Sequence, residues 1–113
     1  MSEDIHFEVK DFKGRTIVCE KERWFDHVAE NPNHKYMDGS EEDVILALIN
    51  PHNKHRCYDR ARKNRRVYYY YHSNLDEYTK VVVEFDDEMC EGVGKICTAY
   101  KLDEITSGEK PEL

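Results

Sequence analysis

The chain has 113 residues, 39% of them hydrophobic, and a formal net charge of -7 at pH 7. That length supports one domain with a single modest core and short tails, and argues against a second core of similar size. The acidic sum argues against nucleic-acid binding by the whole surface, yet the charge is uneven. Between Lys54 and Arg66 seven Lys/Arg (Lys54, Arg56, Arg60, Arg62, Lys63, Arg65, Arg66) accompany one acid, Asp59, while the rest of the chain carries ten bases and twenty-three acids. An acidic body with one basic segment can present a local phosphate footprint; the plainer reading of the segment is a solvated loop.

In chain order, Ile5, Phe7 and Val9 alternate with His6, Glu8 and Lys10, which predicts a half-buried strand. Asp11 to Gly14 supplies turn chemistry and residues 16–19 a second strand, so the chain is expected to open on a hairpin. Over residues 20–30 the period changes. Trp24 with Val28, and Phe25 with Ala29, are spaced by four, which gives a helix an apolar stripe that ends at Asn31-Pro32. His27 falls on the border of that stripe. Ser40 followed by Glu41, Glu42 and Asp43 reads as the capped start of a second helix, with Val44, Ile45, Leu48 and Ile49 as its buried stripe and Asn50-Pro51 as its stop.

A short strand is expected at residues 55–58, inside the basic segment. Arg65 to His72 is rich in β-branched and aromatic residues and predicts the long central strand. Strand geometry sends Arg66, Tyr68, Tyr70 and His72 to one face and Arg65, Val67, Tyr69 and Tyr71 to the other. The second set holds the one aliphatic residue and is expected to face the core, leaving the first accessible. Residues 78–85 contain Val81-Val82-Val83 and predict a strand buried on both faces. Residues 93–100 predict the last strand, with Ile96, Thr98 and Tyr100 on one face and Val93, Lys95, Cys97 and Ala99 on the other. The expected fold is α+β: an N-terminal hairpin and two helices packed on a mainly antiparallel sheet of four to five strands. The ordered core is expected over about residues 4–106, with 107–113 as a tail.

The four cysteines (Cys19, Cys57, Cys90, Cys97) show no CxxC spacing, the opening Met1 to Ile5 lacks an export pattern, and no apolar run is long enough to span a membrane. The expectation is a cytoplasmic protein with reduced thiols and no membrane partner. His52, His55 and Cys57 lie close in sequence but do not match a paired-ligand pattern, so no metal or other cofactor is expected.

The ordered set Trp24-x-x-His27-Val28, Glu42-x-x-Ile45-x-x-x-Ile49-Asn50-Pro51, Arg66-Val67-Tyr68-Tyr69-Tyr70, Lys80-Val81-Val82-Val83 and Thr98-Ala99-Tyr100 resembles a family of prophage and mobile-element domains. That family is grouped with barnase, EndoU, colicin toxins and RelE in one ribonuclease superfamily. The chain departs from it after the first helix, where members often carry His-Pro-Glu and this chain has Asn31-Pro32-Asn33, with His34 two places beyond the proline. The resemblance implies metal-independent RNA cleavage, with RNA as the substrate and an immunity or antitoxin protein as a candidate partner.

Such cleavage needs a group to take the proton of the ribose 2′-hydroxyl, a donor for the leaving 5′-oxygen and a cation for the phosphate. An imidazole suits the proton transfer, and His27 is the first candidate. Arg66 is the candidate phosphate clamp, its planar fork matching two oxygens, and Thr98 a candidate third donor. Tyr68, Tyr70 and Tyr100 are candidates for stacking on bases, and Arg56 of the basic segment for substrate binding. Each has a plain alternative: the tyrosines as amphipathic sheet cover, Thr98 as an ordinary strand residue, Arg66 as the partner of surface acids, and His27 as a packing imidazole. The whole chain has the same choice, between a nuclease and a catalytically inactive RNA-binding, protein-binding or structural module of that fold.

Overall fold

The alternating stretches at the start of the chain form the expected hairpin, β1 (Ile5–Lys10) antiparallel to β2 (Thr16–Glu20). The computed structural model describes residues 4–25, 40–51, 56–58, 64–74, 76–86, 92–104 and 110–111, with 56–58 and 110–111 described through their backbone pairing. After the hairpin come α1 (Glu41–Ile49), β3 (Arg56–Tyr58), β4 (Arg65–His72), β5 (Glu77–Glu84), β6 (Gly94–Leu102) and β7 (Lys110–Pro111). The strands form one sheet in the order β1-β2-β6-β5-β4-β3-β7. Every described pair is antiparallel except β2 with β6.

The class is α+β and the sheet mainly antiparallel, as expected, with two corrections. The hairpin does not pack on the sheet; it extends it, because Ile17 and Val18 pair in parallel with Gly94 and Lys95. Five strands of five to nine residues make the body, at the upper end of the expected count. The short β3 and β7 widen it to seven, and β7 places Lys110 and Pro111 against Tyr58 and Cys57, inside the stretch expected to be a tail. Periodicity tells which face a residue takes. It does not identify the neighbouring strand.

α1 lies across one face of the sheet. Val44, Ala47 and Leu48 are buried, whereas Ile49, expected in the stripe, is 46% exposed. The Ser40 side chain does not cap the helix; its carbonyl accepts the Asp43 and Val44 amides instead. Of the other expected helix, residues 21–25 are helical. Trp24 is fully buried while Phe25, expected in the same stripe, is exposed. The rest of that helix, His27 included, lies outside the described residues.

The main core fills the face under α1. It joins Ile17 and Cys19 of β2, Tyr68 of β4, Val81 and Val83 of β5, Ile96 and Ala99 of β6, and Trp24. A smaller cluster of Val67, Tyr69 and Val82 occupies the opposite face, so the three valines of β5 are buried on both sides as expected. This reverses the expectation for β4. The set with Arg66, Tyr68 and Tyr70 faces α1 and the main core, and both faces are covered from Arg66 to Tyr69. A lone aliphatic residue is a weak marker of the core side when a tyrosine can bury its ring and bond its hydroxyl.

The face assignment of β6 also changes. Val82 pairs with Thr98 but Val83 with Ile96, so Cys97 is the extra residue of a bulge. A bulge resets the alternation. Ile96 and Ala99 therefore share the core face, and Thr98 and Tyr100 are turned to the other. Burial, with Glu41 and Glu20 adding repulsion, pushes the Cys19 thiol up from 9.0 to about 12. Folding stability is therefore expected to decline as pH rises above about 9, where the unfolded thiol ionises and the folded one keeps its proton. Peptide mapping after iodoacetamide at pH 8 should find Cys19 unlabelled until denaturant is added.

Candidate functional site

The residues expected to converge on a phosphate are divided between the two faces of the sheet. The pairing Tyr68–Val81–Ala99 puts β4's even-numbered residues in register with the core face of β6. Thr98 and Tyr100 stand on the reverse side, in rows with Val82 and Lys80. The row assignment has a direct check: the Lys80 ammonium lies 5.7 Å from the Tyr69 ring and 5.6 Å from the Tyr100 ring, so these three share the reverse face. Lys80 is only 5% exposed there, its charge held between two π faces.

Arg66 is 4% exposed, and one guanidinium nitrogen donates to the Arg65 carbonyl at 3.0 Å. Arg65 donates to Glu84 at 3.2 Å. Tyr68 is fully buried and Tyr70 half-buried at the fringe of the main core. Arg56 sits in β3 opposite Tyr68, with only its backbone described. His27 lies outside the described residues. The structure thus brings Arg66, Tyr68 and Tyr70 to one face and Thr98 and Tyr100 to the other, and a sheet separates the two groups.

Two polar clusters on the α1 face join Tyr68 and Tyr70 to residues that were not among the site residues read from the sequence. One is buried at the hairpin turn. Asp11 Oδ1 accepts the Lys13 and Arg15 amides at 3.0 and 2.8 Å, and Oδ2 accepts Arg15 Nε at 2.8 Å and the Tyr68 hydroxyl at 2.7 Å. The Arg15 guanidinium lies 5.8 Å from the Phe12 ring and 5.3 Å from that of Phe85. Four donors on one carboxylate, with the cation packed on rings, make an internal network.

The second cluster lies at the other end of β4, where the core gives way to polar residues. Tyr70, Thr79 and Lys101 form one cross-strand row. His72 Nε2 and the fully buried Thr79 hydroxyl are 2.6 Å apart, and the His72 ring meets the edge of Tyr70 at 5.1 Å. Lys101 reaches Asp43 of α1 at 3.5 Å, and Glu77 pairs with His72 in register. Beside them a cavity of about 370 Å³ is lined, among the described residues, by Tyr70, Tyr71, His72, Ser73 and Asn74. The hairpin turn is held by the Tyr71 hydroxyl donating to Asp76 at 2.8 Å, a bond to a carboxylate that raises the phenol's pKa. Shared parity with Tyr70 was the available signal for His72.

A second described imidazole lies between β1 and α1: His6 Nε2 is 2.8 Å from Glu41 Oε2, and its ring stacks on Trp24. Among the described residues no group of His, Cys, Asp and Glu is placed to hold a metal, and no helix is long and apolar enough to cross a membrane. Compared with family models, curated proteins and solved structures, the chain matches none.

Proposed function

We propose that the protein is an RNA-binding module that engages single-stranded RNA at the free end of the β4–β5 hairpin. The supporting observation is the grouping there of half-buried Tyr70, Tyr71 and His72 along the cavity, with the Tyr78 ring against Tyr71. Unstacked bases are bound by aromatic rings regardless of sequence, each stacked base contributing about 1–3 kcal/mol. The division of Arg66 and Tyr68 from Thr98 and Tyr100 favours binding over cleavage at the expected centre. The superfamily resemblance, the toxin-like role and a cognate inhibitor protein belong to this proposal. So does a cytoplasmic location, in keeping with the free thiols of Cys19 and Cys97.

A second reading, metal-independent cleavage through 2′-hydroxyl attack, is favoured by His72, an imidazole beside a cavity and a phenol. Labelled single-stranded RNA is the test, with anisotropy read at low and high salt and strand length checked on denaturing gels with and without EDTA. Salt-sensitive binding of intact RNA supports the module. Cleavage that survives EDTA and vanishes in His27→Ala or His72→Ala supports the nuclease. No binding at low salt removes both readings.

A further inference from the structure

We infer that the cavity beside Tyr70, His72, Ser73 and Asn74 is a subsite for one unstacked base of the bound strand, read at its edge. This rests on the RNA-binding reading above and names the part of the ligand that enters. Its volume of about 370 Å³ is near the small end of ligand clefts, about 300–1,000 Å³, which suits a single nucleoside.

The lining chooses the ligand. Thr79 engages Nε2 of His72 and Tyr70 meets its ring from the side, so the imidazole is oriented by two neighbours. Its Nδ1 and the Tyr70 hydroxyl have no hydrogen-bond partner among the described residues. With Asn74 and Ser73 at the turn, the cavity offers an amide, two hydroxyls and an imidazole nitrogen, groups that between them donate and accept. A flat heterocycle with donors and acceptors along its edge complements that set. A phosphate does not: Glu77 stands opposite His72, and Asp43 already holds Lys101, so the two potential cations are each matched by a carboxylate.

Ten-residue homopolymers of U, A and C are the probes, measured on the full chain against a mixed-sequence strand. The expected result is a preference of about fivefold or more for one homopolymer, on the scale set by loss of a base contact. That preference should collapse in His72→Ala with Asn74→Ala. Asn74 is an exposed turn residue, so Asn74→Ala alone keeps the test open if the double variant does not fold, and should reduce the preference in the same direction.

Nitrogen-15 spectra of the histidine rings give a second readout. Adding the free nucleoside of the preferred base should shift the His72 signals, and inorganic phosphate should not. Equal binding of all three homopolymers, a preference that survives both substitutions, or a His72 shift with phosphate alone overturns the subsite while RNA binding stands. Failure of the unsubstituted protein to bind any strand overturns both.

Discussion

Asp11→Ala is expected to destabilise the protein by about 3–5 kcal/mol, because it leaves a buried guanidinium without its carboxylate. The carboxylate is fully buried and the Arg15 side chain nearly so. The substitution also strips the Tyr68 hydroxyl of its acceptor and two turn amides of theirs. Urea unfolding is the measurement, with an unchanged slope separating lost stability from a changed unfolded state. Tyr68→Phe removes one donor and should lower stability by about 1–3 kcal/mol. Since both residues act in one network, the double variant should lose less than the sum of the two. A change below about 1 kcal/mol for Asp11→Ala would show that water replaces the network freely, contrary to its burial.

Gly94→Ala is expected to be of similar consequence for the opposite reason. A β-carbon there would stand 2.6 Å from Val83 Cγ1 and 2.8 Å from two atoms of the Phe85 ring. These lie below contact distance, so side chains or the β2–β6 pairing must shift, and overpacking of this kind destabilises by about 1–3 kcal/mol and occasionally more. The Phe85 ring also supports Arg15 at 5.3 Å, so displacing it disturbs the Asp11 network from the far side. Val83→Ala opens space beside the new methyl. The pair Gly94→Ala and Val83→Ala should therefore unfold at a higher urea concentration than additivity predicts, and strict additivity would argue that the two sites do not touch.

The sequence made the strands legible through alternation in β1, aromatic and β-branched content in β4 and the valine run of β5, and the hairpin turn because Asp11 and Gly14 each do what their chemistry favours. Gly14 takes φ 85, which glycine adopts without strain. What it could not supply were facts set by partners far along the chain. Tyr68 looked like a surface residue until its hydroxyl was seen to have an internal acceptor in Asp11. Thr98 and Tyr100 looked free to join Arg66, since only the register through Val81 and Val82 assigns them to the reverse face. Cys97 shows the limit most sharply: an inserted residue leaves the composition of β6 unchanged while reversing which of its neighbours are buried. His72 was visible as a member of the right parity set, but nothing local marked Thr79 as the residue that fixes its ring.

The parallel pairing of Ile17 with Gly94 also has a consequence for the order of folding. The β4–β5 and β5–β6 hairpins close over short spans of sequence, whereas β2 must find β6 across most of the chain, at the entropic disadvantage of a long loop. During synthesis the β1–β2 hairpin emerges ahead of β6, and its inner edge has no partner until β6 follows it from the ribosome. For that interval β2 exposes the backbone groups and apolar side chains that β6 and α1 later cover, which makes the nascent amino-terminal hairpin the segment most exposed to mispairing with another copy.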